Sequence, residues 1–345
     1  MESQEDKIEK YARMAAPSVI AVGLGGAGCN VITWVKEKGI SGGKTVAVNT
    51  DATHLRICKA DKRILIGEKL TRGLGSGGYP EIGEKALYET ANEVVHELSR
   101  ANIIFMIAGL GGGTGTGAIV GLADTLRKKC EGNPTAPLLV GVVTLPFEIE
   151  TARMDAAKKG LNRLKNVCDT VVVIDNNRLV KVAGNLPVRE ALGVANTTVG
   201  KFVKGITETI TTASLINLDY ADLKAIMTGS GLASIGIGEG VGESRIETAV
   251  DKALNGRLLD IEDVTKAKGL LIHVSGGDDL TLTEVNRAAE IMKRSLPPNT
   301  KIIWGARVDE ELKGAVSVMA VVTGVESAFL RKNERHLGPF RKLRR

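Results

Sequence analysis

No apolar run in the 345-residue sequence approaches the roughly 18 residues needed to span a bilayer, and the first ten residues, MESQEDKIEK, are charged where a secretory leader needs an apolar stretch. A cytoplasmic protein is therefore expected. Cysteine is also scarce: Cys29, Cys58, Cys130 and Cys168 stand singly, with no CxxC and no neighbouring His pair, so neither a disulfide framework nor a zinc site is expected. Internal repeats and long low-complexity linkers are absent. With 43% hydrophobic and 25% charged residues the chain excludes disorder as its main state, and its length suggests two domains of about 100–200 residues each.

The net charge of +6 is confined to one end. Of 46 Lys/Arg and 40 Asp/Glu, seven bases (Arg331, Lys332, Arg335, Arg341, Lys342, Arg344, Arg345) and one acid (Glu334) lie in the last fifteen residues, which leaves 39 of each in the rest. A neutral body argues against a charged face for nucleic acid, and no specific nucleic-acid partner is expected. The basic tail at 331–345 suits a membrane adaptor or an anionic surface.

Past an amphipathic stretch at 5–14 closed by Pro17, short apolar runs alternate with helical patterns. Runs at 19–22, 45–49, 63–66, 103–108, 138–144 and 170–174 read as buried strands, and 81–98, 116–129 and 152–164 as helices. This alternation specifies an α/β fold whose parallel sheet carries helices on both faces and takes ligands at the carboxyl ends of its strands. From 188 to 213 no Pro interrupts Val188, Leu192, Val199, Val203, Ile206 and Ile210, whose near-helical spacing predicts one long helix, or two joined near Gly193. Strands at 233–237, 269–274, 301–304 and 316–322, with helices at 245–254 and 283–295, then predict a smaller mixed α/β domain.

Three motifs carry chemistry. Gly23-Leu24-Gly25-Gly26-Ala27-Gly28 follows a strand and opens a helix, the context in which backbone N–H groups approach a phosphate. Alone, with Asp51 as a ribose acid, it equally suits a nicotinamide-dependent oxidoreductase. The second run, from Gly109 to Gly117, holds six glycines in nine positions, each costing an element interior about 0.5–1 kcal/mol relative to Ala. Such a loop is explained by backbone wrapped around a ligand, and two cradles on one sheet imply several phosphates. GISGGKT at 39–45 is no P-loop, because it is one residue short and precedes a strand. The third motif, Asn217-Leu218-Asp219-Tyr220-Ala221-Asp222, places two carboxylates on one face of a helix start, where they serve as caps or orient a water and bind Mg²⁺.

GGGTGTG at 111–117 resembles the signature loop of the tubulin/FtsZ superfamily. GLGGAGCN (23–30), AVNTDA (47–52), GEKLTRGLGSGG (67–78), PFEIE (146–150) and NLDYADLKAIM (217–227) resemble FtsZ segments in FtsZ order. The resemblance covers about 18–325. It implies a Rossmann-like GTP-binding domain (18–187), a central helix (188–213) and a smaller C-terminal domain (214–326), flanked by a helical extension (1–17) and the basic tail (327–345). It further implies GTP hydrolysis coupled to head-to-tail protofilaments, usually in the cell-division ring; a tubulin-like scaffold in cell-shape control that binds nucleotide without hydrolysis is the alternative within the family.

By the same resemblance Gly25, Gly26, Ala27, Gly28, Gly111, Gly112, Gly113, Thr114, Gly115, Thr116 and Gly117 hold the phosphates of GTP or GDP, with Gly77 and Gly78 near the terminal one. Asn30, Asn176 and Asn196 meet guanine or ribose, and Glu150 and Arg153 bind near the ribose. Asn217, Asp219 and Asp222 complete hydrolysis, while Mg²⁺ is held mainly through the phosphates. Leu192 stands where FtsZ commonly has an aromatic residue and Asn196 where it commonly has Asp, and the stretch between Pro146 and Gly160 is one residue shorter than in many relatives.

If Asn196 touches the base, helix geometry constrains the rest. The 16 residues from Asn196 to Thr212 span about 24 Å at 1.5 Å per residue. Asp219 and Asp222 then reach only the nucleotide of the next molecule in a head-to-tail stack.

Overall fold

The computed structural model describes residues 17–178, 187–212, 216, 218–256, 261–263 and 266–331. The stretch at 5–14, Asn217 and the basic residues from 332 onward lie outside the described residues.

Six strands form the first half of the sheet: β1 (Val19–Leu24), β2 (Gly43–Asn49), β3 (Lys62–Leu65), β4 (Ile103–Gly109), β5 (Leu138–Leu145) and β6 (Thr170–Asp175). All pair in parallel, in the order 3-2-1-4-5-6. The strand order reverses between β1 and β4, and there the loops leaving the carboxyl ends diverge and open a crevice. The helices between them are α1 (Gly25–Lys38), α2 (Ala52–Ile57), α3 (Glu68–Thr71), α4 (Pro80–Leu98), α5 (Gly113–Lys129) and α6 (Thr151–Val167).

Strand periodicity divides the interior into two cores. Ile20, Val22 and Leu24 of β1 pack into one core with residues of α4, α5 and α6, whereas Val19 and Ala21 face the other, with α1. Across the second core lies α7 (Val188–Thr211), a single helix of 24 residues uninterrupted at Gly193. Its Phe202 meets Phe105 of β4 edge-on, ring centroids 5.7 Å apart, and burying each ring contributes roughly 1.5–3 kcal/mol.

The central helix runs parallel to α1 in a fixed register. Lys204 Nζ donates to the carbonyl oxygen of Lys38, 166 residues earlier, and Gly200 sits against Trp34 at the same offset. A β-carbon at Gly200 would come 2.1 Å from the Trp34 ring. Gly200→Ala gains about 1 kcal/mol of helix propensity but overpacks this contact by roughly 1–3 kcal/mol. A lowered urea midpoint is the expected result; an unchanged or raised midpoint would show that Trp34 yields freely.

The second half contains α8 (Tyr220–Met227), β7 (Gly231–Val241), α9 (Arg245–Asn255), β8 (Ile261–Asp263), β9 (Gly269–Gly276), α10 (Leu282–Arg294), β10 (Lys301–Val308), a short 3-10 turn (Glu310–Leu312), β11 (Ala315–Ser327) and α11 (Ala328–Arg331). They extend the same sheet, since β7 lies between β6, which it pairs with over its first three residues, and β11, which it pairs with from Leu232 to Val241. The sequence suggests a strand at 233–237; the observed one has eleven residues. The reason is Gly236, Gly238 and Gly240, where any β-carbon would lie within 2.0 Å of a carbonyl oxygen of α9, so that the helix lies flush on the strand.

Candidate active site

At the carboxyl ends of the parallel strands a cleft of about 530 Å³ opens between the starts of α1 and α5. Neither helix has a side-chain cap, and neither has an acidic residue in its first turn. Their first N–H groups and the positive ends of both dipoles are therefore uncompensated at the cleft, the arrangement that attracts an anion. Gly26 and Gly112 line this cleft, and a β-carbon at either would meet nothing within 4 Å. Gly25 takes φ +71°, and a β-carbon there would come 2.7 Å from the Gly115 nitrogen, so the two loops stand back to back.

A third loop closes one side. Between 67 and 78 positive φ occurs at Gly67, Arg72, Gly73, Gly75, Gly77 and Gly78. Ala52 N donates to the Gly73 carbonyl at 3.0 Å and Gly75 N to the Thr50 carbonyl at 3.2 Å, which folds the loop across the end of β2. Thr114 Oγ1 lies 2.6 Å from Thr50 Oγ1 and 2.9 Å from Ser76 Oγ, linking strand, loop and α5 through three hydroxyls. Thr116 Oγ1 accepts from Gly111 N at 2.8 Å. The hydroxyls of Thr114 and Thr116 thus brace the loops.

Of the other residues expected at the site, Ala27, Gly77, Gly78, Gly113, Thr114, Gly115, Glu150, Arg153 and Asn176 line the cleft. Glu150 Oε2 accepts from Phe147 N and Oε1 pairs with Arg153 at 2.5 Å, beside the turn at Gly111. Asn176 Oδ1 is buried and has no partner, an open acceptor in the wall of the cleft. Gly28 and Gly117 lie behind it as packing positions: a β-carbon would come 2.2 Å from the Ile107 carbonyl in the first case and 1.9 Å from the Pro80 carbonyl in the second. Asn30 and Asn196 are not lining residues, yet the 166-residue offset of α1 and α7 sets them side by side one turn nearer the cleft than Trp34 and Gly200.

The acidic loop is elsewhere. Tyr220 donates from its hydroxyl to the carbonyl of Asn102, just before β4, whereas the cleft begins at Gly109, the last residue of that strand. Seven steps of about 3.3 Å put some 23 Å between the two ends. Burial and the Asp169 carboxylate push the Tyr220 phenol up, keeping it a donor. Asp219 caps α8 by accepting from Ala221 N, and Asp222 is exposed, pairing with Lys301 at 3.5 Å.

Sequence reasoning missed Asn49, His54 and Ser76 in the cleft wall. Asn49 Oδ1 accepts from Thr50 N and Asp51 N, and His54 Nε2 contacts Asn30 Oδ1 at 3.1 Å. Their signal was position: Asn49 ends β2, His54 follows it, and Ser76 lies in the loop folded across that end. Asp51, weighed as a ribose acid, also lines the cleft but uses its carboxylate to cap α2, accepting from His54 N. Cys29, in the first loop's helix, is buried, and that burial together with Cys58 pushes its thiol well above the ordinary range.

Comparison with known proteins agrees with this geometry. Residues 18–184 match the model of the GTPase domain of the Tubulin/FtsZ family, and residues 231–326 the model of the FtsZ family C-terminal domain. Cell division protein FtsZ 2 of Methanocaldococcus jannaschii is 49% identical over 313 residues, which are 90% of this chain and 80% of the relative.

The chain belongs to the tubulin/FtsZ family.

The structure of an empty FtsZ dimer from M. jannaschii superposes with a TM-score of 0.86 at 48% identity, covering 93% of this chain and 92% of the other. CetZ2 from Haloferax volcanii, at 21% identity and TM-score 0.76 over 92% and 97%, shares the fold. This FtsZ-fold chain binds and hydrolyses GTP. The nicotinamide reading is not supported: the matched domain is a GTPase, and the cleft is built from two anion cradles where a dinucleotide needs one. Among the described residues no helix is long and apolar enough to cross a membrane.

Proposed function

We propose that this chain is a cytoplasmic cell-division GTPase that works as a head-to-tail homopolymer, each active site being shared by two subunits. The observation that carries the reading is the separation just described: the anion cradles lie at one end of the sheet and the exposed Asp222 carboxylate at the other. One subunit binds the triphosphate through Gly25, Gly26, Ala27, Gly77, Gly78 and Gly111 to Gly115, with Gly28 and Gly117 packing the loops from behind. Asn30, Asn176 and Asn196 take the base and ribose with Glu150 and Arg153. The next subunit brings Asp222, with Asn217 and Asp219, to orient the attacking water. The Lys301 pair is exposed and worth only about 0–1 kcal/mol, so Asp222 leaves it at little cost.

Exposed apolar side chains at the cleft rim support a contact there: Leu74, Tyr79 and Ile149 are 85%, 63% and 88% exposed. Joining unlike ends gives a heterologous interface that propagates as a filament unless it closes. Asp51 and Glu150 are engaged by their own cap and by Arg153, so Mg²⁺ would be held mainly through the phosphates, whose charge it neutralises. The division role rests on the names of the relatives, which are cell division proteins.

The test is turnover per chain measured against protein concentration, with sedimentation in parallel. Both should rise together above a threshold; constant turnover in unassociated chains would overturn the shared site. The basic tail we assign to an adaptor or anionic surface at the division site. Deleting 332–345 should leave GTP turnover in solution unchanged and weaken binding to anionic vesicles, whereas lost turnover would place the tail in the core machine.

A further inference from the structure

The four cysteines are scattered in sequence, but the fold gathers two of them with a histidine. Cys29 comes from α1, while His54 and Cys58 come from α2 and its cap, and the three ligand atoms lie within 4.8 Å of one another. Both sulfurs are buried and His54 is partly exposed at the wall of the cleft. Cys58 Sγ is 3.6 Å from His54 Nδ1. In a tetrahedral zinc centre with bonds of about 2.3 Å to sulfur and 2.0 Å to nitrogen, that edge is about 3.5 Å.

The hydrogen bonds around the ring settle its tautomer. Nε2 faces the Asn30 side-chain oxygen at 3.1 Å, which can only accept, so the ring proton sits there. Nδ1 accepts from Asn49 Nδ2 at 3.3 Å and so carries the lone pair, with Cys58 Sγ 3.6 Å away while that thiol donates to the His54 carbonyl at 3.2 Å. A carbonyl-type acceptor on the distal nitrogen is the support that orients a metal-bound imidazole.

We propose that Cys29 Sγ, Cys58 Sγ and His54 Nδ1 form a binding site for a thiophilic divalent cation of the zinc class, separate from any cation carried by phosphates. Binding displaces the two thiol protons to solvent; the two thiolates balance the dication, and the neutral imidazole completes three ligands without leaving a buried net charge. The fourth position belongs to water, reached from the side of the partly exposed His54. The cation ties α2 to α1.

The probe is Co²⁺ added anaerobically to the chelator-stripped, reduced full-length chain, then displaced by Zn²⁺. Thiolate-to-cobalt charge transfer with tetrahedral ligand-field bands should saturate at one equivalent per chain. It should vanish in Cys58→Ser, persist in Cys130→Ser, and require about 10–100-fold more cation in Asn30→Ala. Octahedral bands alone, or a charge-transfer band that survives in Cys58→Ser, would overturn the site. A second measurement needs no variant: Zn²⁺ should slow alkylation of Cys29 and Cys58 in the parent chain at least about tenfold while Cys130 reacts as before. Equal labelling at Cys29 and Cys58 with and without zinc sinks the proposal, whatever the folding of the variants.

Discussion

Asp222→Ala should bind GTP as the parent chain does and hydrolyse it about 10²–10⁴ times more slowly, the contribution of one positioned acid–base group. Binding is spared because the carboxylate lies at the far end of β4 from the cleft and touches none of its lining. Stability changes little, since Asp222 is exposed, its ion pair with Lys301 is weak, and the cap of α8 is Asp219. A mixing experiment sharpens the result. A chain that cannot bind nucleotide but keeps its acidic loop should restore turnover to Asp222→Ala, because its carboxylate serves the intact cleft of the neighbour. Two inactive chains that stay inactive together, although they co-sediment, would mean that each molecule supplies its own acid.

Gly112→Ala is the second large effect. At φ −85° the position accepts an L-residue without backbone strain, and its β-carbon meets no protein atom within 4 Å. The fold should therefore hold its thermal midpoint, as a surface change would, within about 0.5 kcal/mol. The methyl group, however, occupies the cradle and holds an anion off the N–H groups of α5. Losing one charge-assisted hydrogen bond costs about 1.5–3 kcal/mol, or roughly tenfold to a hundredfold in affinity for GTP. Gly28→Ala and Gly117→Ala are the contrast: their β-carbons strike carbonyl oxygens at 2.2 and 1.9 Å, so stability should fall first. Equilibrium dialysis with labelled GTP, beside a melting curve, separates the two kinds of glycine. Unaltered affinity in a folded Gly112→Ala chain would remove the second loop from the site.

The parts that could be read from the sequence were those whose physics is local. The strand–helix alternation of the first half, the uninterrupted apolar period of α7 and the two glycine runs each sit within one stretch of chain. What escaped was set by partners distant in sequence. Gly236, Gly238 and Gly240 weaken the strand signal of β7 because glycine is a poor strand former, yet they are there to let α9 approach. Nothing in a motif shows that the hydroxyls of Thr114 and Thr116 are bonded to Thr50, Ser76 and Gly111 and so brace the loops. Likewise Cys29 and Cys58 read as unrelated thiols, since their distance along the chain hides that α1 and α2 meet beside His54.

The parallel clamp of α1 on α7 has a mechanical consequence. One rod of 24 residues carries Asn196 towards the triphosphate end and delivers the chain to the carboxylate end, and it is keyed along its flank by Trp34, Lys38 and Ser41. An axial slip of α7 cannot be confined to one pole. In the proposed head-to-tail stack, a shift of this rod at the phosphate end would therefore be felt at the contact with the next subunit.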